Sequence, residues 1–222
     1  MPVLFHLPLS PFCRKVRLVA AEKSIGVELQ VEEPWRRNEE FIALNPACVV
    51  PVWVEDDGAV LAESSAICEY LDEVDPSAGL LGDTPGDRAE TRRLAAWFDI
   101  KFYREVTDYL YGERVLKRIR RTGEPNSAAI RAGRQNITYH LDYIAWLSER
   151  RNWLAGGRLS LADLAAAAQL STLDYLGEVP WDHAEGAKVW YQRVKSRPSF
   201  RTLLADSVPG FPPPAHYADL DF

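Results

Sequence analysis

Asn45-Pro46-Ala47-Cys48-Val49-Val50-Pro51-Val52, read with Glu63-Ser64-Ser65-Ala66-Ile67 downstream, constrains the fold of this chain more than any other stretch. Pro51 stands at the entry to the apolar run Val52-Trp53-Val54. Proline has no N–H to give to a sheet, so it begins a strand or lies at an edge. An X-Pro bond in such a turn is a candidate for the cis form. A cis bond here turns the Val50 backbone outward, where it can pair with an extended ligand. Downstream, Ser64 is placed to cap a helix with Ile67 and Leu71 on its apolar face. A helix start with free N–H groups, beside the Glu63 carboxylate and an unpaired strand edge, suits a small zwitterionic peptide.

Around this centre the first half reads as a strand–helix–strand unit. Val3-Leu4-Phe5-His6-Leu7 is a buried strand, and Ser10-Pro11 opens a helix with proline where its missing N–H does no harm. Cys13, Val16, Val19 and Ala20 share one face of that helix. Arg14, Lys15 and Arg17 fall largely on the other, polar, face. Val27 to Val31 is a second strand, parallel to the first because a helix joins them. Asp56-Asp57-Gly58 turns a hairpin between Val49–Val54 and Ala59–Leu61, and Ser64 to Glu73 closes the unit as a helix.

The second half reads as helical. Residues 77–87 are a linker rich in Gly and Pro. A long helix is predicted from Arg88 to about Ile119 and another from about Ser127 to Arg150. Ser160-Leu161-Ala162-Asp163 is a capping-box variant that starts a very apolar helix, and His183–Ser196 and Pro198 start later ones. The predicted organisation is residues 1–76, an α/β domain; 88–208, an all-helical domain; and 209–222, a proline-rich, then acidic and aromatic tail.

Ser10-Pro11-Phe12-Cys13, Val50-Pro51, Glu63-Ser64 and Ser160-Leu161-Ala162-Asp163, in this order and spacing, resemble the glutathione transferases. The resemblance covers nearly the whole chain. It implies a thioredoxin-like N-terminal domain and the all-helical transferase C-terminal domain. It further implies that Val50, Pro51, Glu63 and Ser64 cradle glutathione, and that Ser10 or, less well placed on an apolar face, Cys13 does any chemistry. A hydroxyl donating to a thiolate at a helix N-terminus lowers the thiol's pKa; a plain helix cap is the alternative role for Ser10. Many relatives carry Gly and then Lys or Gln before Val-Pro, where this chain has Cys48 and Val49. A long polar side chain for the ligand carboxylate is thereby lost. Glutathione is expected as a substrate or a vestigial ligand, with no other cofactor required.

Two stretches look shaped for a partner. Glu33-Pro34-Trp35-Arg36-Arg37-Asn38 sets a Trp among charges, and Tyr217, Asp219, Leu220, Asp221 and Phe222 end the chain. The basic run Arg114, Lys117, Arg118, Arg120 and Arg121 is either a receiver for an acidic peptide or a solvated helix face. With Trp181-Asp182, these features resemble a branch of the transferase-like proteins found in alphaproteobacterial cell division. That resemblance implies a homodimer that binds filaments of the tubulin homologue FtsZ and other division proteins, favours curvature and constriction, and has little or no catalysis. A small-molecule transferase and a stringent-starvation-type adaptor remain alternatives on the same fold.

Composition narrows the field. Net charge is −6, which argues against a nucleic-acid partner, and it is split: residues 1–86 carry 6 Lys/Arg against 15 Asp/Glu, residues 87–222 carry 20 against 17. No apolar run is long enough to span a membrane. The start runs straight into a strand, and the three Cys match no zinc pattern. The four His show no ligand spacing, so no metal is expected. Together these point to a cytoplasmic protein, with the division site as its place of work if the branch resemblance holds.

Overall fold

The computed structural model describes residues 1–220. Strand β1 (Val3–His6) runs through the middle of a four-stranded sheet in the order β2-β1-β3-β4. β2 (Glu28–Val31) joins it in parallel, with Val3 opposite Glu28, because helix α1 (Pro11–Glu22) carries the chain back across the sheet. β3 (Val52–Val54) pairs antiparallel with β1, and β4 (Val60–Ala62) with β3, the latter two joined by a hairpin through Gly58 at φ 88°. Between β2 and β3 lie a short 3₁₀ turn (Pro34–Arg36) and helix α2 (Glu39–Leu44). Helix α3 (Ser64–Val74) closes this thioredoxin-like domain.

The second domain is all-helical. Pro85–Ala96, Trp97–Leu116 and Lys117–Arg120 follow end to end as one rod, α4, whose middle section is wound with i→i+5 hydrogen bonds. It starts earlier than the predicted Arg88 because Thr84 and Asp87 cap it reciprocally: the Asp87 N–H donates to Thr84 Oγ1 and the Thr84 N–H to Asp87 Oδ2, both at 3.1 Å. α5 (Ser127–Ser148) packs back along α4. α6 (Leu161–Tyr175) is buried along its whole length, as its Leu- and Ala-rich sequence favours. Its Asp163 accepts from the Ser160 N–H at 3.0 Å and from the Ser160 hydroxyl at 2.7 Å. The same carboxylate also takes the Leu154 N–H and the Trp190 indole. α7 (Glu185–Lys195) and two short turns, Pro198–Phe200 and Arg201–Leu204, complete the domain.

The two domains are joined by what reads in sequence as the polar face of α1. Arg14, Lys15 and Arg17 are buried, Arg14 and Lys15 completely. Helical periodicity separates them from Val16 and Val19 but does not reveal that a second domain covers them. Each finds partners there. Arg14 donates to Pro8 O, Ser171 Oγ, Tyr217 Oη and Asp206 Oδ2, all within 3.1 Å. Arg17 makes a two-pronged ion pair with Asp206, both contacts at 2.9 Å. Lys15 pairs with Asp99 of α4.

Candidate functional site

The cleft between the domains, about 540 Å³, gathers the expected glutathione-cradle residues together with Ser10 and Trp35. Ser10, Val50, Pro51, Glu63 and Ser64 line its N-terminal-domain side. The Val50–Pro51 bond is cis. Cys48, at φ 51°, and Val49 lie in the same wall. Val49 is half exposed.

Ser10 caps α1: its Oγ accepts from the Cys13 N–H at 3.5 Å. Ser10 also lines the cleft. Cys13 is a different matter. Its thiol is completely buried, and burial pushes it up to about 11. A thiol kept protonated and out of solvent is a packing group, so Cys13 is withdrawn as a catalytic candidate.

The start of α3 also departs from expectation. Glu63, not Ser64, is its N-cap. The Glu63 carboxylate accepts from the N–H groups of Ser65 and Ala66 at 3.0 and 3.3 Å and from the Ser64 hydroxyl at 3.2 Å. Glu63 holds φ at 75°, an uncommon conformation for a side-chain-bearing residue and one that tends to collect at ligand sites. The N–H groups expected to greet a ligand anion are therefore partly occupied by the protein's own carboxylate. Val49 adds an apolar side chain to the same wall.

The opposite wall comes from α4. Tyr103, Tyr111 and Arg120 face the thioredoxin-like side, and Phe12 meets Tyr103 with ring centroids 4.8 Å apart. Arg120 belongs to the basic run noted in the sequence; Tyr103 and Tyr111 were missed there, although they recur at a helical spacing that puts both on one side of the rod. Trp35 stands at the rim, half-buried, with the Arg120 guanidinium 5.1 Å from its ring centre. Arg36 beside it is exposed and paired with Glu33.

The tail divides. Tyr217 was expected among the partner-facing residues, but it is buried: its hydroxyl donates to Leu203 O at 3.0 Å and accepts from Arg14, and its ring packs on Tyr175. It anchors the tail to the seam between the domains. Asp219 and Leu220 are exposed. Asp221 and Phe222, the other two tail candidates, lie outside the described residues. Among the described residues no group of three or more His, Cys, Asp or Glu is placed to hold a metal ion, and no helix is long and apolar enough to cross a membrane.

Comparison with known proteins agrees with this architecture. The glutathione S-transferase N-terminal domain family matches residues 9–74 and the C-terminal domain family residues 132–198. FtsZ-localized protein A of Caulobacter vibrioides is 49% identical over 99% of this chain and 97% of its own length. The structure of FzlA from C. crescentus superposes with a TM-score of 0.96 at 47% identity, covering 100% of this chain and 99% of that one. That of a glutathione S-transferase from Rhodospirillum rubrum does so with a TM-score of 0.98 at 55% identity over 100% of both chains. From its cis-proline cradle to its buried core helix, the chain belongs to the glutathione S-transferase family.

Proposed function

We propose that this protein is a regulator of bacterial cell division on a transferase scaffold: a homodimer that binds FtsZ filaments, promotes their curvature and constriction, and has little or no catalysis. The observation that carries the reading is Trp35, a large indole kept at the cleft rim under Arg120, in a chain 49% identical over nearly its full length to a protein named for its localisation with FtsZ. Trp and Arg are the residue types most enriched where binding energy concentrates. Leu220, exposed beyond the Tyr217 anchor, extends the same recognition to the tail. The self-capped Glu63 and the apolar Val49 support weak catalysis, since both lower the attraction for a zwitterionic thiol substrate.

Dimerisation is supported by an apolar strip along α4 and α5. Ile100, Tyr139 and Trp146 are each about half exposed there, with Trp97 and Tyr143 packed among them. Surface of this kind is costly to leave in water. Two partner sites per dimer bridge neighbouring filaments by effective concentration. Co-sedimentation with polymerised FtsZ tests the reading. Wild type pellets with filaments and Trp35→Ala does so at least about tenfold more weakly, the loss expected of a hot-spot residue. Failure of the wild type to pellet overturns the proposal.

A second reading, a glutathione-dependent transferase, is favoured by one observation: Ser10, Val50, Glu63 and Ser64 still converge on one cleft. Calorimetry separates the two. Micromolar glutathione binding that is lost in Ser64→Ala favours the enzyme; no heat at millimolar ligand removes it.

A further inference from the structure

The C-terminal end of α4 serves more than the cleft. Arg120 leans on Trp35, but Arg118 and Arg121 border a separate groove of about 850 Å³ between α4, the turn after it, α5 and the start of the tail. Ile130, Leu176, Phe211 and Pro212 supply apolar walls. The cations around it fall into two groups. Arg114 is held by the buried Glu178, and Lys117 by Glu113. Arg118 and Arg121 are exposed, and among the described residues neither has a carboxylate at ion-pair distance. Arg118 sits over Phe211, its guanidinium carbon 5.1 Å from the ring centre. A single acidic side chain, Glu124, lines the groove. Cations at a helix C-terminus are favoured by the helix dipole, which accounts for some positive charge there. It does not account for apolar walls beneath it.

We propose that this groove docks an acidic, extended peptide segment of a partner protein, whose carboxylates pair with Arg118 and Arg121 while an apolar side chain rests on Ile130, Leu176 and Phe211. Guanidiniums bind carboxylates through two parallel hydrogen bonds, and they do so best beside low-dielectric walls. Nucleic acid fits less well: the protein carries a net charge of −6, and a polyanion gains nothing from aliphatic walls. The inference does not require that the partner be FtsZ, and it concerns a groove distinct from the glutathione cleft.

The test is fluorescence anisotropy with a short labelled peptide that alternates aspartate with leucine. Saturable binding is expected, at least about tenfold weaker when salt rises from about 0.05 M to about 0.5 M. The doubly reversed variant, Arg118→Glu with Arg121→Glu, loses it by at least about tenfold, while its circular dichroism and its glutathione calorimetry match wild type. A lysine–leucine peptide behaves in the opposite way, ignoring wild type and binding the variant. Equal binding of the acidic peptide to wild type and variant overturns the proposal. So does tighter binding of a labelled single-stranded oligonucleotide through the same arginines, or a change of oligomeric state in the variant, which would make the groove a contact between copies. The FtsZ pelleting assay fails or succeeds independently of these outcomes.

Discussion

Arginine and aromatic side chains meet in two regions of this molecule, to opposite ends. In the seam between the domains, Arg14 and Arg17 face Asp206 and Tyr217, and almost every polar atom is spoken for; Arg17 Nε and His6 Nδ1 are left over. At the end of α4, exposed Arg118 and Arg120 lie against Phe211 and Trp35, with exposed Arg121 beside them in sequence. The seam spends its charges on holding two domains in register, whereas the α4 end keeps its charges available. Residue type does not separate the two; burial and the presence of a carboxylate do.

The sharpest break in that comparison is Arg14→Leu. Removing a buried guanidinium leaves Asp206 with one cation fewer and the Tyr217 hydroxyl without a donor, a loss of about 3–5 kcal/mol in urea unfolding. Arg120→Ala in the other region should cost no more than about 1 kcal/mol. Equal effects would mean that the seam and the surface are energetically alike.

These regions also show where the sequence was readable. The proline turn, the Ser10 cap and the Ser160–Asp163 start of α6 were legible because each is settled within a few residues by local chemistry. The helix over Ser127–Ser148 was legible from its periodicity. The burial of Arg14, Lys15 and Arg17 was not, because their partners Asp99, Ser171, Asp206 and Tyr217 lie far along the chain. The same long reach hid the role of Tyr217. Read locally, it is an aromatic in an acidic tail; only the approach of Tyr175, Leu203 and Arg14 makes it an anchor. In the cleft, the cap of α3 was misassigned by one residue, since Glu63 reaches the helix N–H groups only by holding a positive φ that sequence does not announce.

A pH scan sharpens the comparison next. Burial, then the positive charge of Arg17, push the His6 imidazole down from 6.5 to about 4, with Arg14 adding to the effect and Asp206 opposing it. Between those values the unfolded chain takes up a proton that the folded one refuses. Stability contributed by neutral His6 is therefore complete above about pH 6.5 and is lost as pH falls toward 4, by about 1.4 kcal/mol per unit. Urea unfolding from pH 7 to 4.5 should show that slope in wild type and a shallower one in His6→Gln. Identical slopes would remove His6 from the seam's account. Tyr217→Phe comes below it, at about 1–3 kcal/mol, because Leu203 O loses a buried donor while the ring still packs on Tyr175.

The smallest effect on stability carries the most information about the exposed region. Arg120→Ala strips the cation from Trp35 without opening the core, since Arg120 is exposed and Trp35 keeps its own backbone turn at Pro34–Arg36. A cation over an indole at an exposed site is worth about 0.5–1 kcal/mol. Unfolding should thus barely change, while the Trp35 fluorescence environment and FtsZ co-sedimentation both do. If pelleting is unchanged in Arg120→Ala but lost in Trp35→Ala, the indole alone makes the contact. If both variants lose it, the cleft rim acts as one unit, and the contrast with the seam becomes functional as well as structural: the same pairing of arginine with an aromatic ring holds the domains together where it is buried and meets a partner where it is exposed.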